Sequence, residues 1–159
     1  MSEHLHIPYH EFESDQELDQ DDRHLLAKAL EASQKAYVPY SGFHVGCAIL
    51  LDDGEIILGN NQENAAYPSG LCAERTALFF CGSQGKGDQI KKIAVRAWSD
   101  NKPVIQPVTP CGACRQVMVE YERQGNKDIE VLLQGASGPV LLLSGIQKTL
   151  LPFSFDIDF

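Results

Sequence analysis

Apolar residues Leu18, Leu25, Leu26, Ala29, Leu30 and Ala36 fall near one face of a 3.6-residue repeat, which predicts a helix over residues 18–36. Asp19, Asp21 and Asp22 suit its positive end. Val38-Pro39-Tyr40-Ser41-Gly42 breaks the pattern. A strand over 43–51 follows, then the hairpin signal Asp52-Asp53-Gly54 and a return strand over 55–59. Residues 60–70 read as a polar loop. A second helix is predicted over 71–81, with Ser69 as its cap and Cys72 in its first turn. Residues 90–98 are apolar and β-branched enough for a strand. After a Pro-containing loop, Thr109 as N-cap and Pro110 at the first helical position predict a helix to about residue 124. Strands over 129–133 and 140–143 flank the turn Gly135-Ala136-Ser137-Gly138, and Ser144 opens a short helix ended by Pro152. Strands alternating with helices predict a layered α/β domain. No internal repeat or linker interrupts it.

Length and charge narrow the function. The chain has 159 residues, which predicts one domain at about 150 residues per domain. Hydrophobic residues make up 43%, enough for a core without disulfide staples. The net charge of -9 argues against nucleic acid and anionic membranes as partners, because both are bound through Lys and Arg. Residues 1–22 hold eight of the 22 acidic residues and no Lys or Arg, leaving 14 acidic against 13 basic. Residues 1–20 are therefore read as an acidic arm and 21–159 as the domain proper. His4, His6, His10 and His24 lie in or just after the arm without a repeating spacing, which fits a solvated extension better than a metal site. The N-terminus has no basic and apolar signal pattern, and no apolar run approaches about 20 residues, so the cytoplasm is the expected compartment.

Five cysteines, Cys47, Cys72, Cys81, Cys111 and Cys114, make a disulfide framework a poor reading. Cys111-Gly112-Ala113-Cys114 at a predicted helix start is either a redox dithiol or half of a zinc site. Cys72 lies at a second helix start. Three thiolates at two helix starts suit one Zn²⁺. Catalytic zinc keeps three protein ligands and an open place, whereas structural zinc takes four. The structural alternative needs Cys47 or Cys81 as the fourth ligand and leaves Glu74 dispensable. Glu74 is close enough in sequence to Cys72 to serve as a proton shuttle beside the metal, or simply to favour the helix start.

Cys72-Ala73-Glu74-Arg75, followed by Thr109-Pro110-Cys111-Gly112-Ala113-Cys114-Arg115-Gln116, resembles the zinc-dependent cytidine deaminases. This ligand set, with a non-ligand Glu and a P-C-x-x-C half, is the general description of zinc nucleobase deaminases. Tyr37 to Gly46 is similar to the family's Y-x-P-Y-S-x-F-x-V-G segment. Residues 61–67 are similar to its N-x-E-N-A-x-Y segment, and Leu150-Leu151-Pro152 with Phe155 to its C-terminal L-L-P-x-x-F. The likeness spans residues 20–155.

The resemblance implies a three-layer α/β/α fold on a mixed, about five-stranded sheet. It implies one Zn²⁺ per subunit on Cys72, Cys111 and Cys114, lowering the pKa of its water so that hydroxide attacks C4 of cytosine. Glu74 would shuttle the proton, giving uridine or deoxyuridine and ammonia, a reaction of pyrimidine salvage. Phe43 would pack on the base, Asn61 and Glu63 would bond the ribose, and backbone groups of Ala73 and Thr109 would read the base edge and leaving amine. Arg75 would hydrogen-bond the ligand sulfurs. The three-Cys, single-domain kind implies a homotetramer in which Tyr67 and Phe155, or Phe153 in its place, enter a neighbour's pocket. Blasticidin-type deaminases share the zinc signature, but Asn61, Glu63, Asn64 and Arg75 favour a pyrimidine nucleoside.

Overall fold

Alternation along the strands decides which helix covers which face. In the computed structural model, which describes residues 4–157, β4 (Ile90–Ser99) sends Ile93 and Val95 to one side of the sheet and Ala94 to the other. The first three residues of the acidic arm, and Asp158 and Phe159 of the tail, lie outside the described residues. The remaining strands are β1 (His10–Phe12), β2 (Phe43–Leu51), β3 (Ile56–Asn60), β5 (Glu130–Gln134) and β6 (Val140–Ser144). They form one mixed sheet in the order β1-β6-β5-β4-β2-β3.

Helix α1 (Gln20–Ser33) covers one face. Its Leu25, Leu26 and Ala29 pack on Ala48, Ala94, Leu132 and Val140. Helices α2 (Ala73–Ser83), α3 (Gly112–Gly125) and α4 (Ile146–Thr149) cover the other. There Ala77, Leu78, Met118, Val119 and Ile146 pack on Cys47, Ile49, Ile93, Val95, Val131 and Leu133. The result is a three-layer α/β/α sandwich. The sheet has six strands rather than about five. The extra one is β1, a three-residue strand from the acidic arm that pairs antiparallel with β6. Its pattern is too short to read along the chain.

Strand directions place the helix starts. β2 is antiparallel to both β3 and β4, so β3 and β4 point the same way. α2 follows β3 and α3 follows β4, and α3 is the crossover to β5, which runs parallel to β4. Both helices therefore begin at the carboxyl ends of strands, on the same face. That edge is where open α/β sheets bind ligands.

Helix starts differ from the sequence prediction by one to three residues. α1 begins at Gln20, with Asp19 accepting from Asp22 N at 2.8 Å. Cys72 and Cys111 themselves occupy the N-cap positions of α2 and α3, and neither makes a side-chain cap bond. Ser69 lies in a preceding 3-10 turn, and Thr109 and Pro110 precede α3 in irregular backbone. Gly145, at φ 78°, takes the cap position before α4 that Ser144 was expected to fill. At α2 and α3, hydroxyl-based capping rules point to the wrong residues because cysteines hold the cap positions.

Candidate active site

Two helix starts bring three sulfurs together. The Sγ atoms of Cys72, Cys111 and Cys114 lie within 4.8 Å of one another. Cys72 and Cys111 are 3.8 Å apart, and Cys111 and Cys114 3.4 Å. Among the described residues no other His, Cys, Asp or Glu group forms such a cluster. Neither Cys47, buried in β2, nor Cys81, whose thiol points at Lys86 O 3.5 Å away, belongs to the cluster, so neither supplies a fourth ligand. All five cysteines are free thiols. Three soft sulfur donors without a fourth fit a tetrahedral Zn²⁺ that keeps one open place.

Charge at the cluster is unevenly held. Hydrogen bonding from Cys114 pulls the Cys72 thiol down to about 5, against the cost of burial and with help from Arg75 and Cys111. Cys114, the donor to Cys72, is pushed up in turn. Arg75 Nη2 donates to Cys72 Sγ at 3.6 Å, so the guanidinium offsets thiolate charge. The uncapped N–H groups of two helices add partial positive charge on the same side.

Glu74 sits in the first turn of α2 and is 4% exposed. Burial raises its pKa, and the charge of Cys72 adds to the rise, while its own backbone N–H and the Cys114 thiol pull the other way. A carboxyl held up in this way gives up its proton less readily than an exposed one and suits a role in proton transfer.

A cleft of about 550 Å³ opens beside the cluster. Of the residues singled out from sequence, Asn61, Glu63, Tyr67, Cys72 and Arg75 line it. Phe43, Ala73, Glu74, Thr109, Cys111 and Cys114 do not line the cleft. Glu63 Oε2 accepts from Tyr40 N at 2.9 Å and Ser41 N at 3.2 Å, and hydrogen bonding from Ser41 holds its pKa below the usual carboxylate range. Asn61 is already engaged. Its Oδ1 accepts from Val45 N at 2.8 Å and its Nδ2 donates to Phe43 O at 2.9 Å, which ties the loop to β2 where Phe43 begins. Each polar group of the amide keeps one free bond. Tyr40 and Ser41 also line the cleft; both lay in the sequence segment that resembled the family, but their roles were not legible there.

Phe155 and Phe153 lie on the tail, do not line the cleft, and are 70% and 90% exposed. The backbone of Phe155 is held twice by Gln116, Nε2 to Phe155 O and Phe155 N to Oε1, both at 3.0 Å. Tyr67 is 79% exposed and meets Tyr40 edge to face at 6.4 Å between ring centroids.

A profile described as "Cytidine and deoxycytidylate deaminase zinc-binding region" matches residues 19–126. The chain is 52% identical over 100 residues to a cytidine deaminase of Halalkalibacterium halodurans, covering 62% of this chain and 71% of that one. It is 48% identical over 97 residues to one of Sporosarcina psychrophila, covering 61% and 67%. Among solved structures, the cytidine deaminase of Burkholderia pseudomallei superposes with a TM-score of 0.73 at 40% identity, over 87% of this chain and all of that one. The cytidine deaminase of Mycobacterium tuberculosis gives 0.66 at 31% over 87% of this chain and 100% of that one. With the zinc-ligand cluster and the three-layer sheet, these matches mean that the chain belongs to the zinc-binding cytidine and deoxycytidylate deaminase family.

Proposed function

We propose that the protein hydrolyses cytidine and deoxycytidine to uridine and deoxyuridine with release of ammonia. The observation that carries this reading is the convergence of three sulfurs from two helix starts beside a buried carboxyl. Cys72, Cys111 and Cys114 are the proposed holders of Zn²⁺, which when bound supplies a Lewis acid that lowers the pKa of water. Glu74 is the proposed proton carrier. Its carboxylate takes a proton from the attacking water and hands it to N3 of the base. It then takes the remaining proton from the new C4 hydroxyl and gives it to the amine, so that the C4 carbonyl forms as the C–N bond breaks and ammonia leaves. Arg75 offsets charge at Cys72.

The pocket assignment is part of the proposal. Phe43 packs on the pyrimidine, and the free bonds of Asn61 and Glu63 take the ribose hydroxyls. Backbone groups of Ala73 and Thr109 read the base edge and the amine. The one basic side chain lining the cleft, Arg75, is turned to Cys72, which suits an uncharged nucleoside better than a nucleotide phosphate. Residues 21–159 form the proposed catalytic unit. Four copies share their pockets through Tyr67 and Phe155, whose exposed rings want a partner. A reducing compartment such as the cytoplasm suits five free thiols. Among the described residues no helix is long and apolar enough to cross a membrane.

The test is ammonia release from zinc-loaded protein given cytidine, with Glu74→Ala alongside. Turnover by the parent alone, with equal zinc in both, supports the reading. No ammonia from folded, zinc-loaded parent sinks it, and blasticidin S is then the next substrate to assay.

A further inference from the structure

Arg115, on the first turn of α3 beside Cys114, bonds three separate groups. Its Nε donates to Pro110 O at 2.8 Å, its Nη2 to Thr109 Oγ1 at 3.3 Å, and its Nη1 to Leu150 O at 2.9 Å. The first two acceptors lie on the segment that enters Cys111. That segment has no regular secondary structure from Pro107 to Cys111, and Pro110 has no N–H to donate. No sheet or helix bond fixes this segment; Arg115 holds it through the Thr109 hydroxyl and the Pro110 carbonyl. The third acceptor is the C-cap of α4. α4 is itself anchored, because the buried Glu122 carboxylate accepts from Ile129 N, Ile146 N and Gln147 N at 2.9, 2.8 and 3.1 Å. One planar guanidinium therefore braces a loose segment against a fixed point, with its fork filled on two sides.

We infer that Arg115 is a positioning residue for the deamination: it holds the Thr109–Pro110 backbone at the depth where Thr109 meets the leaving amine. This rests on the function proposed above. Arg115 touches neither the proposed substrate nor the sulfurs. A lysine offers a compact point charge in place of the planar fork, so it restores only part of the brace.

The test uses the zinc-loaded parent with Arg115→Lys and Arg115→Ala. Three quantities are read: cytidine kinetics, zinc per chain, and amide exchange over peptides spanning residues 104–112. The expected result is a kcat lower by roughly ten- to a hundredfold, with KM moving less, as for a group misplaced by a fraction of an ångström. Zinc stays at the parental ratio, exchange in 104–112 quickens, and Lys recovers part of the loss. Parental kcat in both variants overturns the inference. So does a kcat loss that follows zinc loss, which assigns Arg115 to holding the metal. If Arg115→Ala does not fold, Arg115→Lys carries the test. If the parent itself leaves cytidine intact, the functional reading fails separately, and unchanged exchange in Arg115→Lys then sinks the positioning role.

Discussion

A buried carboxyl with a raised pKa has two consequences of opposite sign. In the proposed mechanism Glu74 must be ionised to take a proton, so kcat/KM should fall as pH drops through its raised value. For stability, its folded pKa lies above the unfolded one. Its contribution is therefore fully present below the unfolded pKa and is lost as pH rises through the folded one. Glu74→Gln keeps the shape without the charge. We expect it to lower turnover by about 10²–10⁴-fold. In chelator, the zinc-free variant should melt above the parent at neutral pH, the gap closing toward about pH 4 where both side chains are neutral. Melting curves at several pH values check this, and an equal gap at every pH would contradict it. The clustering of Cys72, Cys111 and Cys114, with Glu74 buried in the first turn of α2, was legible because it depends on residue type and spacing at two helix starts. The brace from Arg115 to Leu150 was not, since its partner lies 35 positions away in sequence. Nor was the engagement of Asn61 with the β2 backbone, which depends on the loop's packed path.

At the scale of elements, glycine sets how closely the helices approach the sheet. A Cβ on Gly59 in β3 would lie 2.6 Å from Ala73 O and from Ala77 N, both backbone atoms of α2. α2 carries Cys72 at its start, so Gly59→Ala must displace the helix that presents a proposed zinc ligand. We expect a loss of about 1–3 kcal/mol from overpacking, together with weaker zinc retention against a chelator. The matching change at Gly46 puts Cβ 1.9 Å from Ala29 O of α1, on the face opposite the cluster. Gly46→Ala should cost stability while the folded fraction keeps its zinc. Zinc titration of both variants checks the contrast; equal zinc affinity would refute it. The strand 43–51 was legible to the residue because its apolar run and the following Asp-Asp-Gly turn agree. Helix starts were less so, because backbone direction placed cysteines where oxygen-bearing caps were expected.

Across the whole molecule, the layers are joined by charge as well as by apolar contact. Lys92 of β4 reaches Asp22 on α1 and Glu130 of β5, the latter at 3.0 Å, with Lys92 and Asp22 almost shielded from water. Burial lowers the Lys92 pKa, but the two carboxylates more than offset this, so the net shift is upward. That contribution is present below the unfolded lysine pKa and is lost only as pH rises through the folded one, so the tie survives the neutral range. The same arm that makes the chain acidic also supplies β1, paired along β6 from His10 to Phe12. A strand this short, with Glu11 at its centre and Glu13 just after it, is a poor template for further pairing. Its consequence is colloidal. A chain starting at Ser14 would bare the main-chain groups of β6 and lose the nearby negative charge. On storage it should scatter more light and bind an amyloid dye, while the parent at equal concentration stays clear. Matching scattering from the two would mean that the sheet's edge is guarded by something other than the arm.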